Sequence, residues 1–248
     1  MATHEFEIRE EIALAATPEQ VWDAIATGPG LDSWFMGHSE IAPGKGGTNR
    51  LEMPGYTQES TITAWEPGRH LAFRGDDPDG TFAAFEFLIE GREGGSSVLR
   101  CVHNGLLGDD WEAQYDGIKV GDAMHLRKLA AYLAHFPGRT SKFNLFLIGP
   151  AVADAAKAWS TFADTLSVGE ITEGARVRLD VPGLANLTGT VDFVSAPHCV
   201  GVHTPNGILM LLRGYLHALV VEYHGFSDDE DETKIETAYK SWLDTAFA

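Results

Sequence analysis

Cysteine is nearly absent from this chain: only Cys101 and Cys199 occur in 248 residues. Two thiols are too few for a disulfide framework or a cysteine-based zinc site. Basic residues are also scarce, with 18 Lys and Arg against 36 Asp and Glu, for a net charge of -18. Such a chain repels phosphate backbones and anionic lipid surfaces, so neither nucleic acid nor membrane is an expected partner. No apolar run approaches the roughly 20 residues that span a bilayer. Met1 to Glu11 is acidic and lacks a basic start followed by an apolar core, so no secretory signal is expected. Catalytic motifs are missing too. There is no Gly-x-Ser-x-Gly elbow and no placed Cys–His couple, and Gly44-Lys45-Gly46-Gly47 lacks the spacing and ending of a phosphate-binding loop. No catalytic residue and no cofactor are therefore assigned. What is present is a hydrophobic fraction of 44%, enough to bury a core in one large domain or two small ones, with a cytoplasmic setting expected.

Periodicity supplies the architecture. Phe6, Ile8, Ile12 and Leu14 share one parity against Glu5, Glu7, Arg9 and Glu11, the mark of a half-buried strand that Glu10 interrupts. In Thr17-Pro18-Glu19-Gln20, Thr17 suits a helix cap, Pro18 the first helical position and Gln20 the capping-box partner. Val21, Trp22 and Ile25 then make a short amphipathic helix, which Gly28-Pro29-Gly30 is expected to stop. Leu31 to Met36 reads as a second helical turn carrying Trp34 and Phe35. Five strand-like runs follow, at 49–53, 58–65, 70–74, 81–90 and 97–103, separated by turn sequences such as Pro54-Gly55 and Pro67-Gly68. After Gly108 the period changes. Trp111, Tyr115, Ile118, Leu126, Leu129, Leu133 and Phe136 recur at helical spacing, predicting one long helix that Pro137-Gly138 ends and that Gly117 and Gly121 weaken.

The remainder reads as a shorter repeat of the same plan: a strand at 143–148, a helix at 152–166, strands at 176–181, 188–195, 200–204, 208–215 and 217–225, and a helix from about Asp228 to Phe247. One stretch supports duplication directly. Thr61-Ile62-Thr63-Ala64-Trp65, then Pro67 and Leu71, compares with Thr190-Val191-Asp192-Phe193-Val194, then Pro197 and Val200. The expected division is residues 1–137 and 138–248.

Ala16 to Ile25 followed by Leu31-Asp32-Ser33-Trp34-Phe35 resembles the opening of the helix-grip superfamily called START-like or SRPBCC. The nearest branch is the one named after the activator of Hsp90 ATPase. Ile62 to Pro67 with Leu71-Ala72-Phe73, Val98 to Gly105 and the long helix continue the match over residues 5–136. The resemblance implies an α+β fold of order β-α-α-β-β-β-β-β-β-α, a curved antiparallel sheet wrapped on a long C-terminal helix with a cavity between them. The strands read from the residues fall one short of that order. The second half resembles the superfamily only faintly, and its missing stretch between helix and sheet leaves a second cavity open to question.

The ligand class implied is an apolar or aromatic small molecule, lipids included, bound without catalysis. Cyclase or hydrolase chemistry in the same cavity, contact with an Hsp90-type chaperone and a homodimer are the alternatives. Ala83, Ala84, Cys101, Gly117 and Gly121 are small residues that leave space inside. Leu99 and Cys101 make their face of the strand the inner one, so His103 faces the same way. Trp111, Tyr115 and Ile118 on the helix are its expected neighbours. Glu10, on an inner parity, needs either a cation such as Arg74 or Arg100 or a bulge that turns it outward. Trp34 and Phe35 either gate the mouth or anchor a short helix. Ligand-binding candidates are therefore Trp34, Phe35, Arg74, Arg100, His103, Trp111, Tyr115 and Ile118. His198, Cys199, His203, His217, Glu222 and His224 invite a metal reading. However, His217 and His224 lie on opposite faces of a strand and no tight ligand pair occurs, so no metal is expected.

Overall fold

The computed structural model describes residues 3–109, 111–184 and 187–246, with only the backbone of Tyr215. The chain divides into two compact units that meet at Thr140 and Ser141. No helix among the described residues is long and apolar enough to cross a membrane.

In the first unit, β1 (His4–Leu14) leads into α1 (Pro18–Ala26) and α2 (Gly28–Asp32). Six strands follow: β2 (His38–Ile41), β3 (Thr48–Met53), β4 (Tyr56–Glu66), β5 (His70–Asp76), β6 (Phe82–Arg92) and β7 (Ser96–Leu107). The long helix α3 (Trp111–His135) completes it. All seven strands form one antiparallel sheet of order β1-β7-β6-β5-β4-β3-β2. The meander from β2 to β7 needs only short turns, and β1 closes it by pairing with β7 without a break, from His4 opposite Leu107 to Leu14 opposite Ser97. This is the helix-grip fold.

The capping box at α1 forms as its residues require. Gln20 N–H donates to Thr17 Oγ1 at 3.4 Å, and Thr17 N–H donates to Gln20 Oε1 at 2.9 Å. Val21, Trp22 and Ile25 are buried, and Trp22 meets Trp65 edge to face at 5.0 Å. Gly28-Pro29-Gly30 does not stop the chain in a loop. Thr27 caps a new helix there, its Oγ1 accepting from Gly30 N–H at 3.0 Å, and Pro29 sits in the first turn, where its missing N–H costs nothing. Trp34 and Phe35 consequently follow α2 instead of riding on it. The strand that sequence patterning misses is β2, four residues at the sheet edge with one buried side chain, Ser39, and too little alternation to register as a strand.

The second unit repeats this winding with one strand fewer. Its elements are β8 (Phe143–Ala151), α4 (Ala155–Thr165), β9 (Arg176–Leu179), β10 (Leu187–Ser195), β11 (Cys199–His203), β12 (Gly207–Arg213), β13 (Ala218–Gly225) and α5 (Glu232–Thr245). The sheet order is β8-β13-β12-β11-β10-β9, so the first strand again lies beside the last. The strand expected through Tyr215 stops at Arg213. A 3-10 turn over Tyr215–His217 replaces it, with Leu216 and His217 at positive φ. The expected helix end at Phe247 lies outside the described residues.

A bulge recurs at matching places. The β4–β5 register shifts between Ile62 and Ala64, and the β10–β11 register shifts between Val191 and Phe193. Ile62 exchanges backbone hydrogen bonds with Gly46 and Gly47, as Val191 does with Gly174 and Ala175. Bulges are specified features of a sheet, so the same bulge in the same motif is a stronger likeness than shared residue types. The interiors differ, however. A continuous cluster including Phe162, Tyr223, Tyr239 and Trp242 fills the second unit.

Two outcomes are expected. Thr17→Ala removes the α1 cap and should cost about 1 kcal/mol in denaturant unfolding. In the second unit Tyr223 O–H donates to Glu230 at 2.5 Å, and burial holds the Glu230 carboxyl above the usual carboxylate range despite that bond. The folded unit therefore binds this proton more tightly than the unfolded chain does. Its contribution is present below the ordinary carboxylate value and is lost as pH rises through the raised one. Glu230→Gln should raise the melting temperature at pH 8 and change it little at pH 4.

Candidate ligand cavity

Strand register lays the inner face of the first sheet out in rows. Gly75 stands opposite Ala83, Ala83 opposite Gly105, and Gly105 opposite Phe6. On the far side of β5, a side chain at Gly75 would run into Ser60, and Ser60 stands opposite Asn49. The result is a trough of small side chains running across the strands from Asn49 to Phe6. Beside it runs a bulky row in which Phe73 faces Phe85, Phe85 faces His103, and His103 faces Ile8. The next row, Leu71, Phe87, Cys101 and Glu10, lies deeper under the helix.

Helix α3 covers these rows unevenly. From Met124 onward its inward residues Leu126, Leu129, Leu133 and the following Phe136 are buried. Between Trp111 and Val120 no described residue is buried, and nothing lies within 4 Å of where a side chain at Gly121 would point. The small trough and the loosely covering half-helix together leave a cavity of about 500 Å³. Phe73, Phe85, Phe87, Trp34, Phe35 and Leu51 supply most of its apolar wall, with Ile118 above. Its rim carries Tyr56, Asp77, Asp79, Thr81, Asp109 and Gln114, from the β3–β4 and β5–β6 turns and the entry to α3.

His103 has the most constrained position in that wall. Its ring stacks on Phe85 at 3.8 Å and meets the edge of Phe6 at 5.0 Å. Its Nδ1 lies 2.8 Å from Asp122 Oδ2, a carboxylate on α3 almost as buried as the ring itself. Asp122 thereby sets which ring nitrogen bears a proton, leaving Nε2 for whatever enters the cavity. Cys101, one inward position away, is no nucleophile. Burial first, then the charges of Asp122 and Glu10, push its thiol far above the usual range, so thiolate is scarce.

The candidates drawn from the sequence separate. Trp34, Phe35, His103 and Ile118 line the cavity. Trp34 is wall and anchor at once, since its Nε1–H donates to Ala24 O at 2.9 Å. Phe35 packs on His125 with ring centroids 4.6 Å apart. Trp111 and Tyr115 lie beside the lining, packed with Ile118 on Phe6, Ile8 and Leu107, and Trp111 also stacks on His4. Arg74 and Arg100 are corrections, because strand alternation turns both outward. Arg100 pairs with Glu11 and Glu90 at 2.7 and 2.9 Å, and Arg74 pairs with Asp76 while lying over the Phe82 ring. Glu10 takes neither Arg as partner, and no bulge turns it out. The β1–β7 register is unbroken, so Glu10 stays inward and half-buried opposite Cys101. The sequence reading missed Asn49, Ser60, Phe73, Phe85 and Asp122. Parity with Leu51 pointed Asn49 inward, but only cross-strand register assembles the trough.

An antiparallel sheet gripping a helix around an aromatic cavity defines a START-like domain. Residues 15–134, all within the first unit, match the family described as activator of Hsp90 ATPase homolog 1-like protein. No curated protein matches the chain. Among solved structures the chain is similar to DynU16, a protein in the dynemicin biosynthetic locus, at 17% identity over 97% of this chain and 95% of that one, with a TM-score of 0.46. It is also similar to the di-domain ARO/CYC BexL from the BE-7585A biosynthetic pathway, at 12% identity over 89% and 85%, with a TM-score of 0.48. A third is the Aha1 dimer from Colwellia psychrerythraea, at 22% identity over 52% and 96%, with a TM-score of 0.45.

The thiol assignment is directly checkable. Iodoacetamide at pH 8 should leave Cys101 unmodified in the folded protein and alkylate it after denaturation, as read by mass spectrometry of the peptide.

Proposed function

We propose that the first unit binds an apolar or aromatic small molecule in its cavity, and that the second unit is a degenerate copy without a cavity of its own. The observation that carries the first part is the 500 Å³ space walled by Phe73, Phe85, Phe87, Trp34 and Phe35. A volume of this order suits a ligand of drug size, and an apolar wall with few polar groups is how such sites hold their guests. The shared winding and the bulges at Ile62 and Val191 support the second part. Binding of 2-methoxynaphthalene, followed by quenching of tryptophan fluorescence and by thermal shift, tests the cavity. Ala83 lies in the trough, so Ala83→Trp should fill it and weaken that binding at least about ten-fold while far-UV circular dichroism stays unchanged. Equal binding by the variant would place the probe elsewhere and sink the proposal.

One observation favours a second reading, turnover in the same cavity. His103 paired with Asp122 has the form of a general base held by a carboxylate, and it sits where a bound molecule would touch it. Cyclase- or hydrolase-type chemistry there would lose about two orders of magnitude or more in rate on His103→Phe. Asp122→Asn would shift the pH profile of the reaction, and both variants would still bind 2-methoxynaphthalene.

A further inference from the structure

Asn49 is a polar residue that the fold has placed without completing. It stands on β3 at the head of the trough, only 9% exposed, and lines the cavity. Its Oδ1 has no hydrogen-bond partner. Its cross-strand neighbours are Ile41 on one side and Ser60 on the other. A buried amide left unmatched in this way is costly, and a leucine of similar size would cost the fold less. The neighbouring buried serines are not so placed. Ser39 sits at the tie between its own N–H and Asp32 Oδ1, 2.7 Å long, and Ser60 lies against Gly75. The charge around the cavity adds a second restriction. Its lining includes Asp77, Asp79 and Asp109, and among the described residues it includes no Lys or Arg. An anion entering there would pass three carboxylates and find no cation to offset its lost hydration.

Resting on the binding reading above, we infer that the ligand is an uncharged aromatic molecule bearing a hydroxyl group, and that Asn49 is the residue that selects it by taking up that hydroxyl. A hydroxyl both donates and accepts, so it satisfies the amide whichever way round the amide is turned. The ring system then lies over Ser60 and Ala83, against Phe73 and Phe85. His103, on the neighbouring row, could also accept from a hydroxyl, and the test must separate it from Asn49.

The test uses three probes of one size: 2-naphthol, 2-methoxynaphthalene and 2-naphthoate, titrated against the full chain at pH 7. The expected order is naphthol tightest, by about five-fold over the methyl ether, a ratio typical of one neutral hydrogen bond, with naphthoate weakest. Asn49→Leu should bring naphthol down to the level of the ether, leave the ether unchanged, and keep or raise the melting temperature. Asn49→Ser, which is smaller and still polar, should retain part of the preference. Equal binding of naphthol and ether by the natural chain would overturn the inference while leaving the cavity reading intact. So would a preference that survives Asn49→Leu and disappears in His103→Phe, or naphthoate binding best. Failure of the ether to bind at all would remove the cavity reading and this inference together.

Discussion

The pairing of β1 with β7 is the constraint on which the first unit depends. It joins residues about a hundred positions apart in the chain, His4 with Leu107, so it closes a long loop and is favourable only once the meander between them has formed. Once made, it decides where α3 goes. The chain leaves β7 beside the start of β1 and α3 begins only four positions after Leu107, so the helix must run back across the concave face. Trp111, Tyr115 and Ile118 land on Phe6, Ile8 and Leu107 for that reason. The second half of the helix then sinks into the core while the first half does not, and the cavity is the difference.

The second unit shows what the same winding produces when large side chains fill it. It too pairs its first strand with its last, and it carries the corresponding bulge. Its most deeply buried side chains include Tyr223, Tyr239 and Phe162, whereas those of the first unit are mainly Ile and Leu such as Ile25, Ile62, Leu71 and Leu99. Close packing tolerates few voids, so within one topology the volume of the inward side chains decides how much space is left. In the first unit the small residues Ser60 and Ala83 line the chamber.

Composition also reaches into the site. With half as many cations as anions, Arg100 and Arg74 go to outer faces, where Arg100 meets Glu11 and Glu90 and Arg74 meets Asp76. Such exposed pairs add little stability. The cavity is left with carboxylates at its rim, and with His103, Asn49, Ser39 and Ser60 among the polar groups deeper inside. A shortage visible in the residue count thus shows in the charges around the cavity.

The sequence by itself determined the elements. Alternation in Phe6 to Leu14, the cap at Thr17 and the helical spacing from Trp111 to Phe136 are local, and local periodicity needs no partner to be read. It also determined that His103 faces inward and that Trp34 and Phe35 lie near the cavity. It could not place Arg74, Arg100 or Glu10, since the face a charged residue takes depends on the strand across from it. The edge strand His38–Ile41 was too short to show a period. The trough from Asn49 to Phe6 and the Asp122 partner of His103 were decided only by tertiary structure. The physical reason is that both are made from residues on different strands and a helix, brought together by register, which no single stretch of the chain encodes.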